Sequence, residues 1–360
     1  MNRRELLAAL GGLGLAGAMG QPAFAFGKVD LSVMARPLWD AWKTTFLTAE
    51  GRVVDTLQKN GASHTEGQGY GMYLATVFKD GPAFASMYQW TERHLAVRPD
   101  ALFAWRWLPG EANPVPDRNN ASDGDLFIAW ALVRGASAFD NRGYLTRATE
   151  IAQALAANCV VAMPGASDKT MFLPASVGFS HPTHMTINPS YYMPLAMREV
   201  AAATGVSMLA VCAQHGEALL HDLATDGLVP DWVDIAGGRA VASATMSPNT
   251  GYEALRVPLF LIWSRLPQHN AVRRMAAVYE RTVQPGVGVP TVIEPLSGVV
   301  LETSGDPGYQ ALAGLTLCSA RNTIGATIPP FSAAQPYYPA TLQLFAMIAA
   351  NETLPECVPI

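Results

Sequence analysis

The sequence predicts an all-α protein folded as one domain. Apolar residues recur at helical spacing in eleven segments, few stretches read convincingly as strands, and no Pro/Ser linker or charge run divides the chain. The segments are 31–47, 66–79, 83–97, 123–136, 142–160, 189–204, 208–223, 251–266, 271–282, 309–318 and 339–350. Stretches rich in Gly, Pro, Asn and Asp separate them, and 108–120 and 228–249 are long enough to build a site. Helices paired through alternating short and long connections fit this pattern.

Ahead of the first helix, Asn2-Arg3-Arg4-Glu5 leads into an apolar run over 6–20 and then Ala23-Phe24-Ala25. That is the make-up of a secretory signal peptide, residues 1–25, cleaved after Ala25. The run is shorter than the roughly 20 residues that span a bilayer, so no membrane anchor is expected after cleavage. Arg3-Arg4 fits the twin-arginine route as well as an ordinary positive n-region. Cleavage removes two basic residues and one acidic one from the 24 and 29 present, leaving residues 26–360 with a net charge of −6. That charge implies no nucleic-acid surface. Its charged fraction of 15% is below the roughly 25% of ordinary soluble proteins, which suits a ligand surface of neutral polar and aromatic groups.

The second helix begins at Thr65-Glu66-Gly67-Gln68-Gly69-Tyr70. Glu66 and Tyr70 are four apart and share a face. Glu66 alone could serve the helix dipole, but capping does not require three glycines that each weaken a helix by ~1 kcal/mol. Gly67, Gly69 and Gly71 are therefore read as giving a bulky ligand access to the backbone. Trp90 in the third helix is read as core. In 102–107, Phe103, Trp105 and Trp107 alternate, which puts Trp105 and Trp107 on one side of an extended segment. Sugar rings bury their flat C–H faces on such aromatics while their hydroxyls seek polar partners.

The fourth helix follows Asp117-Arg118-Asn119-Asn120-Ala121-Ser122-Asp123-Gly124-Asp125. Ser122 reads as its N-cap, with Asp123 and Asp125 in the first turn. Capping does not use all these polar groups, so Asp123 is taken as a site residue and Asp125 as either a cap or a site residue; Trp130 is core. Cys159 and Cys212 sit in apolar helical stretches and read as small buried hydrophobes. Asn188-Pro189-Ser190-Tyr191-Tyr192 opens the sixth helix with polar and aromatic groups. Near the eighth, Tyr252-Glu253-Ala254-Leu255-Arg256 sets Glu253 and Arg256 one turn apart, either an exposed ion pair or, with Tyr252 beside it, part of a site. Trp263 is core. An exported location permits a Cys318–Cys357 disulfide, which a chain of this length does not depend on.

The nucleophile and zinc motifs G-x-S-x-G, S-x-x-K and H-E-x-x-H are absent, and His181 and His184, three apart in a loop, are not read as a metal site. Paired-carboxylate chemistry remains, with no metal or organic cofactor required.

These residues resemble glycoside hydrolase family 8, in particular its periplasmic endo-β-1,4-glucanases that accompany bacterial cellulose synthase. The resemblance rests on 66–72, 120–126, 188–191, Gly227-Leu228-Val229-Pro230-Asp231-Trp232 and 252–256, in family order across most of the chain. It implies an (α/α)6 barrel with a cleft across one end, one catalytic domain, a β-1,4-glucan substrate cleaved with inversion, a periplasmic or secreted location, and a cellulose synthase complex as a partner. By the same resemblance Glu66 is the general acid, whose carboxyl must hold a proton near neutral pH. Asp123 lies under the sugar whose bond is cut. Tyr252 and Arg256 flank the base, and Tyr70, Trp105, Trp107, Asn120, Asp125 and Tyr191 complete the substrate site. Where the family usually has Asp, this chain has Glu253, one methylene longer. We read Glu253 as the base, with Asp125 or Asp231 as rivals. Xylan, mixed-linkage glucan or chitosan are alternative substrates, and a glucan-binding assembly factor with weak catalysis is the alternative from another class.

Overall fold

The computed structural model describes residues 29–283, 286–321 and 324–358; the signal peptide expected over 1–25 lies outside the described residues. Among the described residues twelve α-helices and nine short strands occur. Helices α1 (Leu31–Met34) and α2 (Arg36–Phe46) precede β1 (Ser63–His64), α3 (Thr65–Val77) and α4 (Gly81–Leu95). Strand β2 (Arg106–Trp107) leads to α5 (Ser122–Ala138), α6 (Arg142–Asn158), β3 (Val160–Met163), β4 (Ala166–Phe172) and β5 (Met185–Ile187). After a 3-10 turn at Pro189–Tyr191 come α7 (Pro194–Thr204), α8 (Met208–Leu223), β6 (Val233–Ala236) and β7 (Arg239–Ala242). The last third holds α9 (Arg256–Trp263), α10 (Asn270–Thr282), β8 (Val289–Ile293), β9 (Val300–Ser304), α11 (Pro307–Arg321) and α12 (Tyr337–Thr353).

Hydrophobic patterning sorts the helices into inner and outer positions. Helices α3, α5, α9 and α12 are buried on almost every side, and all eight residues of α9 are buried. Helices α2 and α10 bury one stripe, such as Trp39, Trp42 and Phe46 in α2. Sequential neighbours pack together, α3 on α4, α5 on α6, α7 on α8, α9 on α10 and α11 on α12, which is the alternating arrangement of an (α/α)6 barrel. Its inner helices meet in an aromatic cluster: Tyr73 stacks on Trp130 with ring centroids 4.1 Å apart, and Trp263 and Phe345 close around them. Trp90, Trp130 and Trp263 are core residues, as their helical setting predicts. The indole N–H groups of Trp130 and Trp263 donate to Glu199 and Glu352, each at 2.7 Å, so neither indole donor is stranded.

Several expected elements differ. The helix read over 142–160 stops at Asn158, because Val160–Met163 turns at Pro164-Gly165 and pairs with Ala166–Phe172. An apolar run of four cannot be assigned to helix or strand by periodicity alone. The loop read over 228–249 contains the β6–β7 hairpin, whose Gly237 and Gly238 both adopt positive φ. The segment 189–204 breaks at Tyr192, and 251–266 becomes helical only at Arg256. Cys318 and Cys357 form a disulfide tying α11 to the C-terminal 3-10 turn, while Cys159 and Cys212 are free and buried.

The glycines of α3 serve packing, correcting the expectation that they admit a ligand. A side chain at Gly69 would come within 2.9 Å of Phe127 Cβ, and one at Gly71 within 2.7 Å of Met87 Sδ. Gly124 does the same from the other side: any Cβ there would overlap Thr65. The starts of α3 and α5 therefore lie against each other, which brings Glu66 and Asp123 to one end of the barrel.

Candidate active site

His64 caps α3 by accepting the Gly67 N–H at Nδ1 (3.0 Å), and Glu66 occupies the first turn above it. Arg256, 1% exposed at the start of α9, organises the carboxylates. Its Nη1 donates to Glu66 Oε2 and to the Tyr70 hydroxyl (2.9 Å), and its Nη2 to Ser190 Oγ (2.8 Å) and Glu253 Oε2. Asp123 Oδ2 stands 3.7 Å from Nη1. A planar guanidinium with donors on both sides can hold two carboxylates apart in a fixed orientation. The Glu253–Arg256 pair is thus no surface ion pair.

Glu253 projects from the turn before α9. That turn is held by Asp231, whose Oδ1 accepts the N–H groups of Gly251 and Ala254, both at 2.8 Å. Burial pushes the Asp231 carboxyl up to about 6, against these two hydrogen bonds. Asp123 rises well above the usual carboxylate range because it is buried and because Glu66 and Glu253 are negative, Arg256 opposing.

Glu66, Asp123, Glu253, Trp105, Tyr191 and Tyr252 all border one cleft of about 410 Å³. Trp105 is tied to the turn that carries Glu66, since its carbonyl accepts the Thr65 N–H (2.9 Å), and its indole donates to Asp117 (2.8 Å). Tyr252 is 44% exposed and its hydroxyl reaches Glu302 (3.1 Å).

Other candidates lie outside the cleft. Trp107 packs against Trp90 and His94 beneath the Arg52 guanidinium, so the alternation that groups it with Trp105 misleads: the ring is captured by α4. Asp125 is fully buried, accepting from Phe103 N and Asn120 Nδ2 (both 3.0 Å), while Asn120 Oδ1 accepts the Ser176 N–H. Burial carries the Asp125 carboxyl up to about 7. These two residues fasten the loop under the site. Ser122 is not the cap expected of it: helix α5 begins at Ser122, whose hydroxyl donates to the Leu173 carbonyl (2.6 Å). Tyr70 is buried below Arg256. Among the described residues no three His, Cys, Asp or Glu side chains gather as a metal site.

The cleft also takes in Asp55, His64, Asp306, Tyr309 and Tyr338. Tyr338 had a readable signal. Tyr337-Tyr338 opens α12 beside a proline much as Tyr191-Tyr192 follows Pro189, and in each pair one ring faces the cleft while the other is buried. Asp55 and Asp306 lie in segments with no pattern to mark them.

An (α/α)6 barrel with carboxylates and aromatic rings across one end suits a glycoside hydrolase, and the chain belongs to glycosyl hydrolases family 8, whose family model matches residues 24–352. It is 34% identical to an endoglucanase of Cellulomonas uda over 66% of each chain. It is 31% identical to a probable endoglucanase of Novacetimonas hansenii, over 97% of this chain and 99% of that one. Among solved structures it resembles a family 8 endo-β-1,4-glucanase from an Achatina fulica gut metagenomic library, with 32% identity and a TM-score of 0.79, covering 89% of this chain and 99% of the other.

Proposed function

We propose that this glycoside hydrolase is an endo-acting β-1,4-glucanase that inverts anomeric configuration, with Glu66 as general acid and Glu253 as general base. A glucan chain lies along the cleft with sugars against Trp105 and Tyr191. Glu66 protonates the leaving glycosidic oxygen as the bond to the anomeric carbon breaks. Glu253 takes a proton from the water that attacks the opposite face. Asp123, beneath the reacting sugar, meets the positive charge that develops there. One observation carries this reading: two carboxylates from remote parts of the chain face one cleft, held on opposite ends of one buried guanidinium. Such a fork keeps acid and base from collapsing onto each other. The rival bases are less well placed, since Asp125 is buried under the loop and Asp231 is spent on the turn.

The test is reducing-sugar release from carboxymethylcellulose. Glu66→Gln is expected to lose ~10²–10⁴-fold; equal rates in both enzymes would remove Glu66 from its role. NMR of the first-formed product anomer reports inversion.

We place the enzyme in the periplasm or outside the cell. The leader over 1–25 and the Cys318–Cys357 disulfide support this, because disulfides persist in oxidising compartments. A cellulose synthase complex is the partner that the family resemblance suggests, testable by co-purification from a cellulose-producing host.

A further inference from the structure

His64 borders the cleft two residues before the proposed acid, and its ring is bound on both sides. Nδ1 accepts the Gly67 N–H at 3.0 Å, so in this geometry Nδ1 carries no proton and Nε2 does. Nε2 faces Asp55 Oδ2 at 3.2 Å, and Asp55 is itself fixed by the Leu57 N–H on Oδ1 (3.0 Å). The capped N–H belongs to the residue next to Glu66. The imidazole thus sets the turn on which the Glu66 carboxylate is carried, and Asp55 sets the imidazole.

We propose that His64 is a positioning residue for Glu66, held as its Nε2–H tautomer by Asp55, and that protonation of His64 in acid releases the turn that aims the general acid.

The inference rests on Glu66 being the acid. The groups facing His64 set two opposed demands. Burial disfavours the imidazolium, but the Asp55 hydrogen bond and the charges of Glu66 and Asp55 outweigh it and hold the ring above the ordinary histidine value, Arg256 opposing. The Gly67 N–H, by contrast, can be met only by an unprotonated Nδ1. Tyr337 stands edge-on to the ring at 6.0 Å, and Arg106, paired with His64 across β1–β2, turns its guanidinium over Trp105 instead. A proton gained at Nδ1 would point one donor at another and undo the cap.

The experiment compares cellopentaose with 2,4-dinitrophenyl β-cellotrioside, whose leaving group needs no protonation. His64→Ala is expected to lower kcat on cellopentaose on the order of 10–10²-fold, and markedly less on the activated substrate. His64→Asn keeps an oxygen to cap the helix but cannot titrate. It should recover most of the turnover lost in His64→Ala, and the acid limb of its kcat profile should lose the step at His64. Asp55→Asn, which removes the partner charge, should move that step to lower pH. Equal losses of His64→Ala on both substrates, or a wild-type acid limb in His64→Asn, would overturn the proposal. Glu66→Gln is the control: if its own loss does not depend on the leaving group, the assignment of the acid fails; if it does and that of His64→Ala does not, only the role of His64 falls.

Discussion

Arg256 donates through Nη1 to Glu66 across 190 residues of chain, while its Nη2 reaches back only three residues to Glu253. The second contact uses the length of the glutamate. With one methylene more than aspartate, Glu253 folds back over its own turn onto the guanidinium and Ser190 Oγ (3.4 Å), while its side chain stays 36% exposed at the cleft. Glu253→Asp shortens the reach by ~1.5 Å, so the carboxylate loses the guanidinium that holds it apart from Glu66. We expect Glu253→Asp to turn over cellopentaose on the order of tenfold more slowly than wild type with KM unchanged, and Glu253→Gln to lose ~10²–10⁴-fold. Turnover by Glu253→Asp at the wild-type rate would mean that the contact with Arg256 does not set the position of the base.

The two tryptophans that sequence alternation groups together should separate in kinetics and in stability. Trp105 borders the cleft, so Trp105→Ala is expected to raise KM for cello-oligosaccharides by about tenfold or more, since an aromatic contact is worth ~1 kcal/mol beyond its buried area. Trp107 packs on Trp90, His94 and Arg52, so Trp107→Ala should lower the melting temperature with little change in KM. Steady-state kinetics and thermal melts on both variants decide this.

The helices were legible because their apolar faces are continuous, and Asp123 because it sits among more polar groups than capping consumes, whereas Glu66 was picked out by the glycines beside it and Glu253 by Tyr252 and the family resemblance. The glycines of α3 were misleading, since a glycine needed for a neighbouring helix and one needed for a ligand look alike in one dimension; only the contacts of Gly69 and Gly124 separate them. The hairpins at β3–β4 and β8–β9 escaped because short apolar runs carry no distinguishing period. Asp55 escaped because its role depends on His64, which lies across a loop and is defined by tautomer rather than by pattern. Asp125 stood between two readings until the Phe103 N–H and Asn120 showed that it fastens the loop.

The Cys318–Cys357 bond closes a 39-residue separation and joins α11 to the end of the chain, with both residues buried. A cross-link of that span restricts the unfolded chain by an amount worth about 2–4 kcal/mol. Replacing both cysteines by serine should therefore lower the melting temperature by several degrees while leaving kcat near wild type, because neither residue borders the cleft. Calorimetry on the oxidised protein and the double variant measures the difference, and unchanged melting would show that packing of α11 against α12 already holds the terminus.

Two buried carboxyls give stability a definite dependence on pH. Asp125 is pushed up to about 7 and Asp231 to about 6, in both cases mainly by burial, from an unfolded value of 3.8. A folded-state value above the unfolded one means that the unfolded chain releases its proton first. Stability from these groups is therefore complete below about pH 3.8 and is lost as pH rises through 6 and 7. Asp80 and Asp100 have lowered values, the first held down by Lys43 and Trp39 against burial and the second chiefly by Arg98, so their contributions are lost only in stronger acid, outside this window. At 1.36 kcal/mol per unit the combined loss is on the order of a few kcal/mol. We expect the melting temperature to fall by several degrees between pH 5.5 and 8. The fall should be shallower in Asp231→Asn, whose Oδ1 still accepts the Gly251 and Ala254 N–H groups without carrying a charge. A melting temperature that rises over this interval would mean that Asp125 and Asp231 are ionised in the folded protein at no cost, and that the hydrogen bonds from Phe103, Gly251 and Ala254 outweigh burial.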